Sequence, residues 1–109
     1  MSDPLKRIVV DCDGVIAGKD HGGDYGNAPP LKHGIDQVNK LYDMGYEITL
    51  FTARYGEREK GNIHKQYERG YREWTDWLAK HGVKYHHAYM GKPPGVLYID
   101  DKAARVEGD

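Results

Sequence analysis

Arg7-Ile8-Val9-Val10-Asp11-Cys12-Asp13-Gly14-Val15-Ile16 is the stretch on which the reading of this chain turns. Its first half is an apolar run rich in β-branched residues, which reads as a strand buried on both faces, and such strands belong to parallel sheets. The run stops at two acidic residues and a glycine. Asp11 and Asp13 then stand at the carboxyl end of the strand, where open α/β sheets hold their ligands. Carboxylates this close repel, so a cation or a shared proton would justify the pair. A single Asp there would be explained as well by a helix cap or an Asx-turn.

Downstream, Ala17 to Pro30 is dense in glycine and turn formers and reads as a loop or small hairpin flap. Lying directly after the acidic pair, it brings Lys19, His21, Asp24 and Tyr25 within reach of a ligand, or leaves them as solvated loop residues. Ile35, Val38, Leu41 and Tyr42 recur at helical spacing between His33 and Met44, with Gly45 at the C-cap position. Tyr46 to Phe51 is a second strand, leading into Thr52-Ala53-Arg54. Ile63, Tyr67, Tyr71, Trp74 and Leu78 define a second helix, weakened by Gly61 and Gly70 and closed by Gly82. Trp74 and Trp77 read as core and rim aromatics.

Val83 to Tyr89 can form a third strand. Its adjacent His86 and His87 point to opposite faces, so they are poor joint ligands for one metal and read as structural or surface residues. Met90 to Gly95 is a turn, and Val96 to Ile99 is a fourth strand that ends in Asp100-Asp101. Only seven residues, Ala103 to Asp109, follow.

The 109 residues, with 39% hydrophobic and 30% charged side chains and no block of like charge, describe one globular domain over residues 1–109. A net charge of -1 gives no electrostatic reason for a polyanion as obligate partner, although a local patch could still bind nucleic acid. Cys12 is the single cysteine, which excludes an internal disulfide, and its place in a buried strand makes it a small core residue. No apolar segment approaches a membrane span and the amino terminus lacks a signal-peptide pattern, so no membrane partner and a cytoplasmic location are expected.

The β-α-β-α-β order implies a parallel sheet whose strands share one carboxyl edge. The apolar runs stop there at Asp11, Thr52 and Asp100. Asp11, Asp13, Asp100 and Asp101 would repel strongly unless a hard cation neutralised them, and an all-oxygen set favours Mg²⁺. The Thr52 hydroxyl and the Lys92 ammonium supply a donor and a positive charge for phosphoryl oxygens.

These four segments, Asp11-Cys12-Asp13-Gly14-Val15, the strand ending at Thr52, Lys92, and Asp100-Asp101, resemble the haloacid dehalogenase (HAD) superfamily of phosphohydrolases, in that family's order. The resemblance implies a minimal Rossmann-like, HAD-like α/β fold: a parallel sheet flanked by helices, with a flap after the first strand. It further implies Asp11 as nucleophile through an aspartyl-phosphate, and Asp13 as general acid and base, its acidic neighbours helping to keep it protonated. Mg²⁺ would be held by Asp11, the Asp13 carbonyl and Asp100, with Asp101 direct or through water. Gly14, Thr52, Ala53, Arg54 and Lys92 would meet the substrate, Arg54 either gripping a second anionic group or serving as a cap or ion pair.

Two departures from the family pattern stand out. No interval is long enough for a cap domain, and the chain stops soon after Asp101, leaving a sheet edge that would suit a homo-oligomer. The expected activity is hydrolysis of a phosphomonoester on a small metabolite, such as a sugar phosphate or a nucleotide. Thr52-Ala53-Arg54, the later Thr75-Asp76-Trp77-Leu78 segment and the Gly-Lys-Pro turn also look like the small capless phosphatases of surface-polysaccharide pathways and like the phosphatase domains of polynucleotide kinases. The alternatives are therefore a nucleic-acid 3′-end phosphatase and a non-catalytic module that binds Mg²⁺ and phosphate.

Overall fold

The computed structural model of the chain describes residues 6–19, 25–54, 60, 62–91, 97–99 and 104–106. Five strands and two α-helices follow one another as β1 (Arg7–Asp11), α1 (Lys32–Asp43), β2 (Glu47–Thr52), α2 (Ile63–Lys80), β3 (His87–Met90), β4 (Leu97–Ile99) and β5 (Ala104–Val106). They form one sheet in the order β3-β2-β1-β4-β5. The first four strands are parallel, and β5 runs antiparallel to β4.

The apolar run of β1 puts it at the centre of the sheet. Ile8, Val9 and Val10 are all buried, although successive side chains point to opposite faces, so both faces of this strand are covered. On one face Ile8 and Val10 join Ile48 and Leu50 of β2, and against them pack Ile35 and Val38 of α1 with Trp74, Trp77 and Leu78 of α2. The other face carries a separate pair, Val9 and Phe51. The progression β1-α1-β2-α2-β3 thus steps outward in one direction with both helices on the same face. The chain then returns to the far side of β1 to lay down β4, which makes the boundary between β1 and β4 the switch point of the sheet.

Side chains fasten the outermost parallel strand to the helix before it. The Tyr71 hydroxyl donates to the Ala88 carbonyl at 3.0 Å, and the Tyr67 hydroxyl accepts from the Met90 N–H at 2.9 Å. Burial and the neighbouring tyrosines raise the Tyr71 phenol above its ordinary range, which keeps that donor protonated.

Two expectations about strands are corrected. The third strand begins at His87 and not at Val83, because the first donors of that stretch are engaged elsewhere: Val83 closes α2 on the Leu78 carbonyl and Lys84 donates to Asn39 Oδ1, and only from His86, whose N–H donates to the Ile48 carbonyl at 2.9 Å, does the backbone meet β2. A fifth strand, Ala104–Val106, pairs with β4 where the sequence suggests an uncovered edge. Three residues are too few to show a period of two, so only the pairing reveals it. The histidines have separate duties, as expected. His86 Nδ1 accepts from the Ile48 N–H at 3.0 Å and the ring stacks on Tyr42, while His87 pairs with Glu47 at 2.9 Å.

The approach of α1 to the turn after β1 admits no side chain. A Cβ on Gly34, in the first turn of α1, would lie 1.7 Å from the Val15 carbonyl oxygen. Gly45, which closes the same helix at φ +98, has open space around it and needs glycine for its dihedral alone. Gly34→Ala is therefore expected to cost about 3 kcal/mol by displacing backbone, against about 1 kcal/mol for Gly45→Ala. Urea denaturation of the two variants measures the difference, and equal losses would show that α1 can move away from the turn without cost.

Candidate functional site

At the carboxyl edge β1 continues past Asp11 into a tight turn organised by one backbone oxygen. The Cys12 carbonyl accepts from the N–H groups of Val15, Ile16 and Ala17 at 3.3, 3.0 and 3.0 Å, and Gly14 takes φ +90 so that its own N–H reaches the Ala17 carbonyl at 2.7 Å. Ala17 bridges both Asp13 and Pro30, and Gly18 donates to the Pro29 carbonyl at 2.7 Å. The segment after the turn therefore leaves and returns through a narrow neck, as a flap would. It includes a short 3₁₀ turn at Tyr25–Asn27. His21 and Asp24, two of the expected flap contacts, lie outside the described residues.

The turn delivers Asp13 to the neighbouring strand. Register pairs Asp11 with Phe51, and the Cys12 N–H extends the ladder by donating to the Phe51 carbonyl at 2.8 Å. Thr52, fully buried at the end of β2, then donates its hydroxyl to Asp13 Oδ2 at 2.6 Å. The other carboxylate oxygen, Oδ1, accepts from Arg54 Nε at 3.0 Å. The same Thr52 oxygen accepts the Arg54 N–H at 3.1 Å, so hydroxyl, carboxylate and guanidinium form one closed network.

Arg54 is the unexpected member of this network. Its side chain is 0% exposed, against 21% for Asp13. The guanidinium lies between two aromatic rings, 5.1 Å from the centroid of Tyr25 and 5.5 Å from that of Trp77, and Nη1 faces the Tyr25 carbonyl at 3.5 Å. Gln66, a buried polar residue on α2, donates to the Arg54 carbonyl at 3.1 Å, and Trp77 Nε1 donates to the Ala28 carbonyl at 2.8 Å. Arg54 Nη2 is buried without a hydrogen-bond partner among the described residues.

Of the two roles open to Arg54 in the sequence, the ion pair is the one this geometry gives. The Arg54 side chain is fully buried and turned onto Asp13. Among the described residues the charge paired with Asp13 is the Arg54 guanidinium. Ala53 between them is exposed. Tyr25 contributes its carbonyl and ring face to Arg54 in addition to anything it offers a ligand. Gln66 and Trp77 escape sequence reasoning as site residues because their positions belong to the buried stripe of α2. Gln66 alone leaves a trace there, as a polar residue where the stripe should be apolar.

Asp11, Asp13, Gly14, Thr52, Ala53 and Arg54 gather on one edge around the end of the central strand. Lys92, Asp100 and Asp101 lie outside the described residues. Ile99, the last residue of β4, pairs with Val10, so β4 ends beside the end of β1. Among the described residues no group of three His, Cys, Asp or Glu side chains is placed to hold a metal ion. The two described carboxylates are hard oxygen donors of the kind Mg²⁺ takes, and Asp13 has both carboxylate oxygens engaged, which leaves its backbone carbonyl as the donor consistent with the network. Cys12 belongs to the core. It is fully buried, its Sγ accepts from Trp74 Nε1 at 3.3 Å, and burial, reinforced by the adjacent Asp13 charge, pushes the thiol up to about 12.

This architecture defines a small α/β protein with a polar site at the switch point of a Rossmann-like parallel sheet. No protein-family model and no curated protein matches the chain. Among solved structures it is similar to the crystal structure of an MCSG target from Vibrio cholerae, with 35% identity and a TM-score of 0.76 over 91% of this chain and 82% of that one. The chain belongs to the same family as that Vibrio cholerae protein. Among the described residues no helix is long and apolar enough to cross a membrane.

Two outcomes follow from the network. Asp13→Ala leaves a buried guanidinium without its counter-charge and is expected to lower stability by about 3 kcal/mol, read from urea denaturation; a loss within that of a surface substitution would mean that Arg54 finds another partner. Cys12 is expected to resist thiol reagents at pH 8 in the folded protein and to react fully in denaturant. Rapid labelling of the native protein would contradict its burial.

Proposed function

We propose that this protein is a Mg²⁺-dependent phosphatase of the HAD superfamily that hydrolyses a phosphomonoester of a small metabolite through an aspartyl-phosphate. The observation that carries the reading is the convergence of Asp11, Asp13 and Thr52 at the carboxyl end of adjacent central strands, with the Thr52 hydroxyl 2.6 Å from the Asp13 carboxylate. A nucleophile, a proton carrier and a phosphoryl donor are what such a displacement requires of a protein.

In the proposed reaction a carboxylate oxygen of Asp11 attacks phosphorus, forming an acyl-phosphate bond as the bond to the ester oxygen breaks. That leaving oxygen takes its proton from Asp13. A water then attacks the same phosphorus, gives a proton back to Asp13 and releases phosphate, which restores the Asp11 carboxylate. Each oxygen of Asp13 keeps a second lone pair beyond its present hydrogen bond, so the carboxyl can still take up the proton that this cycle requires. Thr52, a donor that can rotate about its C–O bond, is able to serve the phosphoryl group in place of Asp13.

Asp11, the Asp13 carbonyl, Asp100 and Asp101 would hold the Mg²⁺, whose part is to offset the charge gathered on carboxylates and phosphate. Lys92 would pair with Asp11 and the phosphoryl group. Selectivity, in the absence of a cap, would rest on the flap beyond the Ala17–Pro30 bridge.

Phosphate release from an aryl phosphate and from a panel of sugar phosphates, nucleotides and 3′-phosphorylated oligonucleotides tests this reading. Wild type is expected to turn over a small metabolite with Mg²⁺ and to stop when the metal is chelated, while Asp11→Asn loses activity on the order of a thousandfold with its fold intact. An active Asp11→Asn protein would remove the nucleophile assignment. Preference for the oligonucleotides would move the substrate to nucleic-acid ends, and a folded wild type with no turnover would favour a binding module.

A further inference from the structure

The proposed reaction, on which this inference rests, asks one carboxyl group to hold and release a proton at a fixed place. Asp13 is not on a regular element; it stands in a turn, two residues past the end of β1. A side chain on a turn needs external restraints to keep its orientation within the narrow range that proton transfer tolerates. One restraint, the Thr52 hydroxyl, is itself expected to engage the phosphoryl group. The other is Arg54, whose side chain is itself enclosed and hydrogen-bonded.

Four contacts meet the guanidinium and a fifth holds the backbone of the same residue, while Nη2 has no hydrogen-bond partner among the described residues. Nε donates to Asp13 Oδ1 at 3.0 Å, Nη1 faces the Tyr25 carbonyl, the planes of Tyr25 and Trp77 lie near it, and its own carbonyl is gripped by Gln66. The side chain has no exposure to solvent, so its charge is compensated from within, and Asp13 is the only carboxylate among its described ion-pair partners. Burying a guanidinium this way is expensive for stability. A surface-facing substrate clamp would not need such burial, and neither would a simple staple between strands.

We infer that Arg54 is a positioning residue that fixes the Asp13 carboxyl for proton transfer to the leaving group, with Tyr25 and Trp77 as the walls that keep the guanidinium in place. Oδ1 is the anchored oxygen, and Oδ2, released when Thr52 turns to the phosphoryl group, is the one that carries the proton. The flap contributes to the chemistry by this route: its 3₁₀ turn supplies Tyr25 to the box around Arg54, so the position of the flap and the orientation of the acid are linked through one guanidinium.

Leaving-group dependence tests the assignment. An alkyl phosphate expels a strongly basic oxygen and depends on protonation, while 2,4-dinitrophenyl phosphate expels a weakly basic one and does not; neither ester carries a second anionic group for Arg54 to bind. Arg54→Gln and Arg54→Lys are expected to lower kcat for ethyl phosphate by at least about 30-fold, with KM little changed, while the dinitrophenyl ester loses only several-fold. Tyr25→Leu, which keeps Arg54 and removes one wall, should shift the ratio in the same direction by a smaller factor, and carries the test should the Arg54 variants fail to fold. In an Asp13→Asn background, Arg54→Gln should cost nothing further on ethyl phosphate, since the group it positions is gone.

Equal losses on the two esters, or losses that add to those of Asp13→Asn, would overturn the positioning role and leave Arg54 as a structural cation. Wild type that folds yet releases phosphate neither from these esters nor from the sugar phosphates, nucleotides and oligonucleotides overturns the phosphatase reading itself and this role with it, a result distinct from an active enzyme whose leaving-group ratio does not move.

Discussion

A guanidinium without access to water must be answered from inside the protein, and in this molecule the answer comes from Asp13. The demand explains why so many separate parts of the chain meet at one place. The turn after β1 offers the carboxylate, β2 the Thr52 hydroxyl, the 3₁₀ turn a carbonyl and a ring, and α2 contributes Trp77 and Gln66. Removing any one of these leaves a buried polar group less well satisfied, so the network has more the character of a single unit than of a sum of pairs.

Sheet order supplies the second requirement. Because β4 returns to the far side of β1, the end of β1 lies at the switch point of the strand order. Asp11 and Asp13 stand at that switch point, and Ala17 bridges Asp13 and Pro30 beside them. Gly34 allows α1 to press its first turn against the Val15 carbonyl beneath the same loop. The positions of the acidic pair are therefore set by backbone geometry from below and by Arg54 from the side.

The similarity to the Vibrio cholerae protein spans nearly the whole of this chain and most of that one, so the fold is a family arrangement. The phosphatase reading rests on the residues at the edge of that sheet. A two-carboxylate turn, a threonine on the next strand and a buried arginine are more than a stable fold of this size needs, since well-packed apolar groups would hold the same strands together at lower cost.

Much of this was legible in the amino-acid order because it depends on local chemistry. An apolar β-branched run can only be a buried strand, helical spacing of Ile35, Val38 and Leu41 can only face a core, and Asp11 and Asp13 sit at the strand's end whatever surrounds it. The single cysteine declares itself a core residue in the same way. What the sequence could not disclose depends on contacts between distant segments. Ala104–Val106 is a strand only because β4 lies beside it, and Val83 and Lys84 are not strand residues because Leu78 and Asn39 take their N–H groups. Arg54 is the clearest case. As a letter after Thr-Ala it could reach outward to an anion or inward to an acid, and the choice falls to burial: once Tyr25, Trp77 and Gln66 close around it, Asp13 is the carboxylate among the described residues that answers its charge.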